Sequence, residues 1–168
     1  LTESEIQTEP DRLVVGVISD THGLLRPEAL AAMSGSDLIL HAGDVGDPDI
    51  LTQLEAVAPV VAIRGNVDAG PLARSLPDTQ VVELEGLLIY ILHDLGALDL
   101  SPEAAGISMV ISGHTHLPEI RESRGVQYFN PGSAGPQRFT NPITVGRLRI
   151  SQGQISPEIV PLIPIEGV

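Results

Sequence analysis

The chain has 168 residues, with 22 acidic residues, nine basic ones that are all arginine, a formal charge of −13 and no cysteine. The length suggests one domain, large enough to bury a core without staples. The lack of cysteine excludes disulfides, zinc–thiolate sites and thiol nucleophiles, the lack of lysine excludes a Walker A loop and Schiff-base chemistry, and the acidic balance argues against long nucleic acids and anionic membranes as partners.

Residues 1–12 are polar and acidic, with neither the basic start nor the apolar stretch of a signal peptide. They read as a flexible tail ahead of one domain over 13–168, in a cytoplasmic chain. No apolar run approaches the ~20 residues that span a bilayer. The β-branched run LVVGVIS at 13–19 predicts a buried strand. Residues 27–33 open on Pro27 and predict a helix that Gly35 can close. A second strand is expected at 37–41. Asp47-Pro48 then caps a helix over 49–57, and a third strand comes next at 59–64. Residues 69–78 read as a loop. Further strands are expected at 80–84, 87–92 and 107–112, with a turn of helix from Ser101-Pro102 to about Gly106. The remainder reads as strands at 119–122, 126–130, 143–150 and 154–162. The front half is β-α-β-α-β and implies a largely parallel sheet. The expected fold is α/β, a two-sheet sandwich with helices outside.

The residues just past the carboxyl end of each buried run carry the chemistry. Asp20 and His22 come after the first run, Asp44 after the second and Asn66 after the third. His93 comes after LLIYIL, and His114 and His116 after SMVIS. All are oxygen or nitrogen ligands suited to divalent metals. In open α/β sheets, ligands bind outside the carboxyl ends of the strands, so these residues converge on one edge. Asp20-x-His22 and His114-x-His116, read as extended segments, place alternate side chains on one side. Gly43, Gly65 and Gly113 precede ligand positions and allow sharp turns.

Each piece alone has a plainer reading. Asp20, Asp44 and Asn66 are ordinary turn residues, and His93 beside Asp94 suits a surface ion pair. Together, in this order and behind buried strands, they favour a metal centre. His41 reads as a satisfied buried histidine, or as support behind the site. Asp68 suits loop capping or the orienting of a histidine equally. Arg64 is exposed by default, or lines the cleft. Asn130-Pro131-Gly132-Ser133 could be a simple turn, and Ser133 lies in no Gly-x-Ser-x-Gly elbow.

The ordered motifs SDTH, HAGD, RGNVD, LHD, SGHTH and NPGS resemble the calcineurin-like metallophosphoesterase superfamily, in particular its small YfcE-type phosphodiesterase branch. The resemblance implies a four-layer αββα sandwich with a dinuclear metal centre. One metal would be held by Asp20, His22, Asp44 and His116. The other would be held by Asp44, Asn66, His93 and His114, with Asp44 bridging. Asp44, Asn66 and His114 are the expected catalytic residues. The ions would be Mn²⁺ first, with Zn²⁺, Fe, Ni²⁺ or Co²⁺ also suited.

The chain departs from the pattern at two places. Val67 stands where many relatives place a histidine that helps the leaving group. Asp94 stands after His93 where His-Gly-His is frequent. The expected activity is hydrolysis of a small phosphodiester by a bridging hydroxide activated between the two metals. The alternative is a catalytically weak binding scaffold of the same fold, as in the retromer subunit. A third reading, a mononuclear hydrolase, predicts one ion per chain. A homo-oligomer is left open.

Overall fold

The structure, a computed structural model, describes residues 12–162. The tail expected at 1–12 therefore lies, apart from the exposed Arg12, outside the described residues, as does the end of the chain from 163. In chain order the elements are β1 (Leu13–Ile18), α1 (Pro27–Ala32), β2 (Leu38–His41), α2 (Pro48–Glu55), β3 (Val60–Ala62), α3 (Gly70–Ser75), β4 (Thr79–Leu84) and β5 (Leu87–Leu92). After these come β6 (Ile107–Ile111), β7 (Glu119–Ser123), β8 (Val126–Asn130), β9 (Thr144–Ser151) and β10 (Gln154–Pro161).

The strands form two sheets, ordered β10-β9-β1-β2-β3 and β4-β5-β6-β8-β7. In the first, β1, β2 and β3 are parallel, while β9 and β10 join antiparallel. In the second, β5, β6 and β8 are parallel. All of these parallel strands end in segments that bear the residues singled out in the sequence.

With 2% aromatic residues, the space between the sheets is filled by branched aliphatics. Val15, Val17 and Leu40 of one sheet meet Ile89, Ile91 and Ile111 of the other, with Phe129 among them. The alternate residues of β1 face outward. There, a methyl group on Gly16 would collide with the sulfur of Met33 and the hydroxyl of Ser36, so only glycine lets α1 settle this close. All three helices cover this outer face around Ile18, Ile39, Leu54 and Leu72. Asp47 caps α2 by accepting the Asp49 N–H, with Pro48 behind it. The fourth layer is thin: Leu95 and Leu98, in and beside a 3-10 turn, pack on Tyr90, Leu92 and Val110 of the second sheet. The fold is an α/β sandwich.

One expectation changes. Residues 70–75 form α3 rather than loop; Pro71 starts it, but with six residues and one buried side chain it shows no period in the sequence. The turn expected from Ser101-Pro102 to about Gly106 is a single turn: the Ala105 N–H donates to the Ser101 carbonyl, Gly106 N–H to Glu103 and Ile107 N–H to Pro102 before β6 begins.

Three hairpins, β4–β5, β7–β8 and β9–β10, turn through two residues: Glu85-Gly86, Arg124-Gly125 and Gln152-Gly153. Both central residues have φ between 51° and 77° in each. This is the type I′ geometry that matches strand twist. All three turns lie opposite the carboxyl ends of β1, β5 and β8.

Candidate metal centre

Backbone bonds bring the strand-end segments together first. The Asp20 N–H donates to the Gly43 carbonyl (3.0 Å), His22 N–H to Asp44 (2.9 Å), and Gly113 N–H to His93 (3.0 Å). Asp20, His22, Asp44, His114 and His116 all adopt φ between 46° and 70°. L-residues disfavour this left-handed region, and it concentrates at functional sites. The pairs Asp20/His22 and His114/His116 are thus not extended, as their spacing suggested. Tight left-handed kinks aim the side chains instead. Of the glycines expected to turn the chain, Gly43 does so at φ 97°. Gly65 and Gly113 act by closeness: a methyl group at either would overlap the carboxylate of Asp44 or Asp20 respectively.

Two clusters result. Asp20, His22 and His116 form one; Asp44, His93 and His114 form the other. In the first, the Nε2 atoms of His22 and His116 lie 3.2 Å apart. Asp20 Oδ1 lies 3.2 Å from His116 Nε2 and 3.5 Å from His22 Nε2. In the second, Asp44 Oδ2 lies 3.1 Å from His93 Nε2, and the His93 and His114 rings meet edge to face at 5.2 Å. Asn66 Oδ1 stands 3.1 Å from His114 Nδ1. Asp44 Oδ2 also lies 3.5 Å from His22 Nε2, so one carboxylate oxygen faces both clusters. The second cluster opens into a cavity of about 460 Å³.

The residues fit divalent cations. Asp20 is fully buried, yet its Oδ1 has no hydrogen-bond donor; His93 Nε2 is likewise buried, with the Asp44 carboxylate 3.1 Å away. Unmet buried polar atoms are costly unless something else satisfies them. The remaining atoms of these side chains are fixed. Asp20 Oδ2 accepts from Ser19 Oγ and the His114 N–H. His93 Nδ1 donates to the Ala42 carbonyl at 2.8 Å, which presents Nε2 as a lone pair.

Burial favours neutral Asp44, but bonds from His93 and the Val67 N–H outweigh it and hold the carboxyl below its usual range. Burial opposes a charged His93, but Asp44 and the Ala42 carbonyl outweigh it and raise the pKa. Burial lowers that of His116, against the pull of Asp20.

The three supporting candidates separate. His41 is fully buried and touches no ligand side chain; its Nδ1 accepts the Gly43 N–H and its Nε2 meets Thr21 Oγ1 at 3.1 Å. Asp68 orients no imidazole, and accepts the backbone N–H groups of Val45, Gly46 and Gly65. Arg64 lines the cavity and is held in a two-pronged bond by Asp78. Sequence reasoning gives no role to the NPGS segment or to Ser19, yet both support the site. Asn130 donates to the Gly113 carbonyl and to Thr115 Oγ1, and Ser133 donates to the Asp20 carbonyl. The available signal is short polar residues directly behind a buried strand.

A model of the calcineurin-like phosphoesterase superfamily domain matches residues 13–153. A probable metallophosphoesterase of Methanothermobacter thermautotrophicus is 39% identical over 88% of this chain and 92% of its own. Phosphodiesterase YfcE of Escherichia coli K12 is 32% identical over 77% of this chain and 84% of its own. Among solved structures, Vps29 of Chaetomium thermophilum superposes with a TM-score of 0.72 at 19% identity, covering 89% and 96% of the two chains. By sequence match and fold alike, the chain belongs to the calcineurin-like phosphoesterase superfamily.

Proposed function

We propose that this protein is a metal-dependent phosphodiesterase that works with two divalent ions. The supporting observation is Asp44 Oδ2, poised between His22 Nε2 at 3.5 Å and His93 Nε2 at 3.1 Å. Asp20, His22, Asp44 and His116 are the ligands proposed for one ion. Asp44, Asn66, His93 and His114 are those proposed for the other. The all-oxygen-and-nitrogen set suits Mn²⁺ as the first metal to test. When bound, such a pair supplies positive charge against a phosphate and a water of strongly lowered pKa.

The chain's own part is positioning. The Ala42 carbonyl fixes the His93 tautomer, and Ser19 and the His114 N–H hold Asp20 with one oxygen forward. The exposed Val67, next to Asn66, has no proton to offer a departing alcohol. Good leaving groups are therefore favoured, and solvent supplies the proton.

Turnover of bis-p-nitrophenyl phosphate with added Mn²⁺ tests the reading. Asp44→Asn is expected to lower kcat/KM by at least about 100-fold and to reduce bound metal, since it weakens both sites together. No metal-dependent turnover, or no effect of Asp44→Asn, defeats it. The second reading, a binding scaffold, is favoured by Val67 at the rim and by the likeness to Vps29. Elemental analysis decides between them: nearly empty sites after Mn²⁺ incubation select the scaffold.

A further inference from the structure

The cavity beside His93 has a wall chemistry of its own. Its single arginine, Arg64, is held in place: Nε and one terminal nitrogen bind the two oxygens of Asp78 at 2.6 and 2.9 Å, and the other donates to the Ala73 carbonyl. That pair is neutral overall, and the one other basic side chain on this wall, His93, faces Asp44. Asp94 and Asp99 also line it. Asp94 accepts the Gly96 N–H through Oδ1, while its Oδ2 stays 3.9 Å from His114. Asp99 is exposed and has no ion-pair partner among the described residues. Thr79 and Tyr90 also line the cavity. The buried His93, its Nε2 3.1 Å from Asp44, stands where this cavity meets the candidate metal centre.

A second phosphate or carboxylate placed here meets the carboxylates of Asp94 and Asp99 and an arginine already paired with Asp78. An ammonium group meets those two carboxylates, surroundings that attract a cation. At about 460 Å³ the space lies within the size range of small-molecule sites. Resting on the phosphodiesterase reading, we infer that this cavity selects phosphodiesters in which one esterified alcohol is cationic, an amino alcohol, and rejects those with a second anionic group. Asp94 and Asp99 set that preference. The phosphate itself faces the metal centre, so the acidic wall acts on the ester group alone.

The experiment has two arms. In the first, choline or acetate is titrated into the metal-free full chain while the amide signals of Thr79 and Ala97 are followed by NMR. Choline is expected to shift both signals, acetate neither, and Asp99→Asn to weaken the choline response about fivefold. In the second, the Mn²⁺-loaded protein is assayed with p-nitrophenyl phosphorylcholine and with bis-p-nitrophenyl phosphate, which share a leaving group. Asp99→Asn is expected to raise KM for the choline ester about fivefold relative to that for bis-p-nitrophenyl phosphate, with the kcat ratio unchanged. Equal response to choline and acetate, or a KM ratio that Asp99→Asn does not move, overturns the inference. Turnover of both esters without preference does so while leaving the phosphodiesterase reading standing. Choline binding without any metal-dependent turnover defeats the phosphodiesterase reading instead, along with the ester preference built on it.

Discussion

At the scale of single residues, His41 shows how a buried titratable group can serve a site that it does not touch. Its Nδ1 accepts from Gly43, so its proton sits on Nε2 and points at Thr21 Oγ1, which in turn donates to the Val45 carbonyl. The ring therefore ties the segment bearing Asp20 and His22 to the one bearing Asp44. Burial pushes its pKa down to about 4, with Asp68 countering only in part. The folded state thus prefers the neutral ring, and the unfolded state binds the proton first as pH falls. Stability of the metal-free protein is expected to be full above pH ~6.5 and to be lost progressively down to about pH 4, by about 3 kcal/mol. Urea titrations of wild type and His41→Gln across this range check it: the variant is less stable at pH 7, and its stability changes less with pH.

His93 behaves in the opposite sense. Its pKa is raised because Asp44 and the Ala42 carbonyl outweigh burial. Its charged pairing with Asp44 therefore stabilises the metal-free fold below the unfolded pKa, and is lost as pH climbs through the folded value. On the proposed ligand set, a cation at Nε2 displaces that proton. Mn²⁺ affinity is expected to increase with pH through this window, with proton release on binding. Calorimetry in buffers of different ionisation enthalpy measures that release; a buffer-independent heat would contradict it.

At the scale of elements, the site depends on close approach between strand-end segments. Gly65 and Gly113 leave room for the carboxylates of Asp44 and Asp20, and a methyl group at either has nowhere to go. Gly65→Ala and Gly113→Ala are each expected to destabilise the fold by about 1–3 kcal/mol and to weaken metal binding. Gly23→Ala makes a useful control. It carries the strain of a φ of 82° with open space around it, so it costs stability with less effect on metal. Denaturant midpoints and metal content together separate the two effects.

Most strands are legible in the sequence because each is a short β-branched run bounded by turn residues. The candidate ligands are legible because acids and imidazoles come directly after those runs. The closeness of Gly65 to Asp44 is not, since it joins residues from different strands and leaves no local pattern. The same is true of Asn130 and Ser133, which act only once β8 lies beside β6. The left-handed kinks at Asp20 and His114 read as extended in the sequence, because alternation does not reveal φ. α3 is invisible there for want of length.

At the scale of the whole molecule, both sheets present the carboxyl ends of parallel strands to the same rim, and no helix among the described residues is long and apolar enough to cross a membrane. A cation bound between the rim segments joins the two sheets and is therefore linked to global folding. Mn²⁺ at 100 times its dissociation constant is expected to add about 2.7 kcal/mol. Tm should then rise by about 5–10 °C, reversibly on EDTA treatment. Scanning calorimetry with and without metal reads this directly.

The three tight hairpins at Glu85-Gly86, Arg124-Gly125 and Gln152-Gly153 lie at the end of the sheets opposite the candidate metal centre. Peptide handles spliced between Gln152 and Gly153 should anchor the protein to a chip or bead with the candidate metal centre turned toward the bath. Immobilised this way, and on the proposed two-ion reading, it is expected to release and rebind its ions repeatedly on one surface.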